Sequence, residues 1–170
     1  MASTSARAIG ILIGTALIVG FSLWRTLTAT RRRSQTLAEG SRVVGWLVQA
    51  NRLLFQPGNA SAPALLLISF DSPDGVGLER LAAEVARLKS EQPTTKIEKA
   101  VAALVRDETY RPEVRVKLPE EFTGGTEVYA VNVWIERAFL PEGFLTQRRI
   151  LCRATPGRTG PVLMEPPRKN

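Results

Sequence analysis

The chain has 170 residues, with 23 Lys and Arg against 16 Asp and Glu, a single cysteine and no histidine. Without histidine there is no Ser-His-Asp or Cys-His catalysis, no HExxH zinc helix and no histidine-ligated haem, and the lone Cys152 excludes an intrachain disulfide or a cysteine metal cluster. The net charge of +7 does not point to nucleic acid, because it is concentrated at one end.

Arg7, Arg25, Arg31, Arg32 and Arg33 all precede the first acid, Glu39, so residues 34–170 carry 18 basic and 16 acidic side chains. A nucleic-acid binder displays its charge as a patch on the folded module, and no such partner is expected. Beyond the N-terminal segment there is room for one domain of roughly 120 residues, large enough to bury a core without staples.

Ala8 to Trp24 carry no charge, and at 1.5 Å per residue they rise about 26 Å, close to a hydrocarbon core of roughly 30 Å. Extended to Leu27, with Trp24 in the interfacial belt and Arg25 reaching the headgroups, the segment predicts a transmembrane helix over residues 8–27. Residues 1–33 then form a membrane anchor with a basic flank, and the bilayer becomes a partner. The competing reading is a cleaved signal peptide with Arg7 in its charged leader, giving a secreted or exported product. Arg31, Arg32 and Arg33 set the topology with the C-terminal domain cytoplasmic, and they offer contacts to lipid headgroups. Gly10 and Gly14, four residues apart with Ala6 a further step back, line one stripe that suits a helix–helix contact or homodimer.

Residues 34–41 read as a short polar linker ending at Gly40, before an α+β domain over 42–154. Arg42 to Gln49 is rich in β-branched and aromatic residues and predicts a strand, with Gly45 arguing against a helix through Val43, Leu47, Ala50 and Leu54. Pro57-Gly58-Asn59 predicts a turn, and Asn59-Ala60-Ser61 matches a glycosylation sequon. Ala64 to Phe70 is a continuous apolar run, the pattern of a strand buried on both faces.

A helix follows, with Leu78, Leu81, Ala82, Val85 and Leu88 on one side, and it stops before Pro93. Thr95 and Glu98 form a capping-box pattern opening a second helix, whose Ile97, Val101, Leu104 and Val105 are expected to face inward. Val114 to Leu118 predicts a short edge strand. Val128 to Arg137 alternates, with Tyr129, Val131, Val133 and Ile135 on one face. Pro141-Glu142-Gly143 predicts a hairpin turn into a strand over Leu145 to Arg153. The proline-rich tail, residues 155–170, is expected to be disordered. The fold class is therefore α+β: a transmembrane helix, then a mainly antiparallel sheet with two helices packed on one face.

Few residues suggest chemistry. Asp71 and Asp74 follow a buried strand and precede a helix, where two carboxylates could hold a hard cation such as Mg²⁺, although turn formation and a helix N-cap also explain them. Thr123-Gly124-Gly125-Thr126 lacks the lysine and the following helix of a phosphate loop. Glu120, Glu121 and Glu127 are acids with no sign of convergence. Cys152 lies between Arg149 and Arg153, which would lower a thiol pKa, but it has no histidine partner and suits a packing role. These observations predict a single-pass, membrane-anchored, non-enzymatic protein-interaction module without a cofactor, with a protein partner or a homodimer formed through the transmembrane helix. The alternative is a small-ligand or divalent-cation site, or an enzyme, using Asp71 and Asp74.

Overall fold

A computed structural model describes residues 2–50, 56, 58–106, 114–140, 147–157 and 159–165, with the side chains of residues 2–14 and 139 outside that description. The chain divides into two compact units, Met1–Gln35 and Thr36–Asn170. Helix α1 spans Ala2–Glu39, so residues 34–39, read as part of a short polar linker, are helical. The helix stops at Gly40, whose N–H donates to the Thr36 carbonyl at 2.9 Å. A side chain there would collide with the same oxygen, 2.3 Å from an ideal Cβ.

The transmembrane expectation is overturned: among the described residues, no helix is long and apolar enough to cross a membrane. The uncharged run of α1 ends at Trp24. Arg25, three threonines and Arg31–Arg33 follow it. The hydroxyls of Thr26, Thr28 and Thr30 donate back to the carbonyls of Ser22, Trp24 and Thr26, which quenches their polarity without making the stretch apolar. The bilayer as partner, dimerisation through a transmembrane helix and the cytoplasmic placement read from Arg31–Arg33 fall with the anchor.

The second unit is an α+β fold. Its strands are β1 (Ser41–Ala50), β2 (Ser61–Ser69), β3 (Arg115–Lys117), β4 (Val128–Glu136), β5 (Arg149–Ala154) and β6 (Val162–Met164); its helices are α2 (Leu78–Ser90), α3 (Lys96–Arg106) and the single turn α4 (Glu120–Thr123). The six strands form one antiparallel sheet in the order β3-β4-β2-β1-β5-β6. The apolar run of β2 lies at its centre and is buried on both faces, as its composition implies. Leu65 and Leu67 join Val48, Val128 and Ala130 beneath Leu78, Ala82, Val85 and Leu88 of α2 and Val101, Ala102 and Val105 of α3.

Ala64, Leu66 and Ile68 join Val43, Tyr129, Val131, Val133, Ile135, Ile150 and Cys152 in a second core on the opposite face. That face is closed by curling of the sheet. Val114, just before β3, makes an antiparallel bridge to Thr159, just before β6, so the two ends of the strand order approach each other.

Two expectations fail here for topological reasons. The strand after β4 does not return as its hairpin partner, because β4 is flanked by β2 on one side and β3 on the other. β5 takes the free edge of β1 instead, with Ser41 opposite Ala154 and Trp46 opposite Arg149; the expected turn at 141–143 lies outside the described residues. The tail forms β6, paired with β5, where disorder was expected; residues 166–170 lie outside the described residues. On α3, Val101 and Val105 are buried but Ile97 and Leu104 are each 40% exposed, so the inward face is narrower than expected. The capping box is formed: Thr95 Oγ1 accepts the Glu98 N–H at 3.1 Å, and Glu98 Oε2 accepts the Thr95 N–H at 2.9 Å.

Candidate functional site

Each chemically suggestive residue named from the sequence has a definite place. Asp71 Oδ2 accepts the Glu127 N–H at 3.0 Å, tying the end of β2 to the entry of β4. Asp74 Oδ1 accepts the Ser72 hydroxyl at 3.0 Å and the Val76 N–H at 3.3 Å, an Asx turn within its own loop. The N-cap of α2 is Gly77, not Asp74. Both aspartates are exposed, and among the described residues no three His, Cys, Asp or Glu side chains gather as metal ligands. The cation-binding and enzymatic alternative therefore gains no support.

The loop they shape is clamped to β1. Trp46 Nε1 donates to the Gly75 carbonyl at 2.9 Å. Gly75 has φ +75°, and an ideal Cβ there would lie 2.7 Å from the same indole nitrogen. Only glycine meets both conditions.

The acids near β4 converge on a cation. Lys117 Nζ lies 3.0 Å from Glu120 and 3.3 Å from Glu127, and the hydrogen bonds it donates to these carboxylates raise its pKa. Glu121 stays exposed. Thr123–Thr126 is the C-terminal turn of α4: Gly124 adopts φ +67°, and Thr123 Oγ1 donates to the Thr126 carbonyl at 2.6 Å. Asn59 is half-buried and leads directly into β2.

On the helical face, Arg87 bridges Glu84, Glu91 and Glu98 at 2.6–2.9 Å, a surface network joining α2 to the start of α3. The Glu98 carboxyl is held down to about 2, first by the Thr95 and Thr94 hydrogen bonds and then by Arg87. Cys152 is fully buried, and burial pushes its thiol up to about 12. The flanking arginines do not activate it, because Arg153 turns to the Leu37 carbonyl and Glu165. No protein family, curated protein or solved structure matches the chain.

Gly10 and Gly14 lie in α1, in the segment whose side-chain surroundings are outside the described residues. Arg31, Arg32 and Arg33 are exposed on the same helix.

Sequence reasoning missed Arg115, buried at 4% exposure with no carboxylate partner among the described residues. Its Nη1 donates to the carbonyls of Thr155 and Gly157, and its Nη2 to those of Gly160 and Pro161. Its guanidinium lies over the Phe70 ring, 5.4 Å from the centroid. Desolvation draws its pKa downward. A charged residue in an edge strand normally signals a solvated face, so nothing in the pattern marked it. The apolar segment read from the sequence as an anchor is exposed on α1: Leu17, Ile18, Phe21, Leu23, Trp24 and Leu27 are each about 60% exposed or more.

Proposed function

We propose that this chain is a non-catalytic subunit of a protein assembly, inserted through α1 among apolar helices of a partner protein whose acidic residues face Arg31–Arg33. The exposed surface of α1 supports this reading. At 100° per residue, Leu17, Ile18, Phe21, Leu23, Trp24 and Leu27 cover an arc of about 220°, a far wider apolar surface than a helix lying on a solvated face presents. Covering a side chain of this size contributes about 1.5–3 kcal/mol, so six together supply on the order of 10 kcal/mol toward association, before the costs of ordering. A partner protein is favoured over copies of this chain by charge. Arg25, Arg31, Arg32 and Arg33 stand on α1 with Glu39 as its one acid, and bringing such ends together in a parallel bundle sets like charges against each other.

A photo-crosslinking residue placed at Leu17 or Phe21 in cells that make the protein reads directly what covers α1. The expected product is a discrete protein adduct, absent when the same residue replaces exposed Glu79 and weakened when Arg31, Arg32 and Arg33 are changed to Glu. Adducts to lipid alone, adducts between copies of this chain, or no adduct at either position would overturn the proposal.

A further inference from the structure

We infer that residues 155–157 and 159–165 form a detachable strap, and that Arg115 is its latch. The strap closes the curl of the sheet. It comprises the turn after β5, with Gly157 and Gly160 both at φ +115°, then the three residues of β6, each only half-buried. β6 is paired along one edge, to β5. Polar contacts fasten its two ends. At the start, four backbone carbonyls wrap the Arg115 guanidinium. At the end, Glu165 Oε1 accepts from Arg42 at 3.0 Å and from Arg153. Burial raises the Glu165 carboxyl, but the two arginines outweigh it and hold the carboxyl below its ordinary range.

The latch has two stable conditions. With the strap closed, the buried cation is compensated by the strap's carbonyls and the face of the Phe70 ring, with no carboxylate among the described residues, and its Nε has no hydrogen-bond partner among them. With the strap open, water solvates the whole guanidinium. Burial and strap closure therefore occur together or not at all. Opening leaves the strands β3-β4-β2-β1-β5 and the helix-covered core in place, because none of the residues of that core comes from the strap. The inner core loses Val162 and Met164 from its rim. Met164 stands opposite Cys152, so the buried thiol is uncovered whenever the strap lifts.

Cys152 is the single cysteine of the chain, and its rate of modification by a thiol reagent in the full-length protein measures opening. In low urea the rate should be nearly independent of denaturant, the signature of local opening, and it should become steep only as global unfolding takes over. Arg115→Gln should raise the low-urea rate by about tenfold or more, and Glu165→Gln should raise it more modestly. Either variant should leave the steep limb close to its wild-type slope. If Arg115→Gln proves too unstable, the wild-type profile and Glu165→Gln decide the matter. A labelling rate that follows global unfolding at every urea concentration, or one unmoved by both substitutions, would overturn the inference.

Discussion

At the scale of single residues, Cys152 shows how position overrides neighbours in sequence. Arg149 and Arg153 flank it, yet its side chain enters the inner core, where Gly45 leaves it space: an ideal Cβ on that glycine would lie 3.4 Å from the sulfur. The thiol is therefore kept protonated to about pH 12, against an ordinary value of 9.0. A folded-state pKa above the unfolded one means that the unfolded chain releases its proton first as the pH rises. The contribution is whole below pH 9 and declines from there toward pH 12, by at most about 1.4 kcal/mol per pH unit. Stability of wild type measured relative to Cys152→Ala should therefore fall over that range and stay flat below it. A difference constant from pH 7 to 11 would show that the thiol ionises in the native state. The packing role of this residue was legible from the absence of histidine; its depth was not, because the curl that buries it depends on contacts between distant strands. Arg115 was illegible for the same reason, its partners lying some forty residues onward at Thr155–Pro161.

At the scale of elements, the local signals carried well. The apolar run of β2, the alternation of β4 and the Thr95–Glu98 box each depend on a few adjacent residues, and each is found as read. The partner of β5 was misread because a turn signal was taken to join neighbours in sequence, whereas both edges of β4 are occupied. Helix α3 marks a finer limit. Periodicity placed Ile97 and Leu104 inward together with Val101 and Val105, but only part of that arc is covered. Val101→Ala, which opens space in a fully buried site, should cost about 2 kcal/mol. Ile97→Ala, at a 40% exposed site, should cost under about 1 kcal/mol. Urea denaturation of the two variants checks this, and equal costs would place Ile97 in the core after all.

At the scale of the whole molecule, the division at Gln35 and Thr36 separates an element that satisfies itself poorly from one that satisfies itself fully. Both cores are drawn entirely from the second unit. The last turn of α1 also belongs to that unit: Thr36 is buried, its carbonyl receives the Gly40 N–H, and the Leu37 carbonyl accepts from Arg153 at 3.0 Å. Where the chain is cut therefore matters more than how much is removed. A protein lacking residues 1–35 should keep every one of these contacts and melt cooperatively within about 3 °C of the full chain, a shift equivalent to roughly 1 kcal/mol or less. Cutting six residues further, so that the chain begins at Arg42, removes the Leu37 acceptor and leaves a partly buried guanidinium to find water. It also strips Ser41 from the β1–β5 ladder, where it stands opposite Ala154. That shorter protein should melt several degrees lower, since one charged hydrogen bond and part of a ladder are lost together. Calorimetry on the two truncations and the full chain separates the cases. Failure of the longer truncated form to fold would mean that α1 contributes to the stability of the domain along its whole length, and that the two units are one.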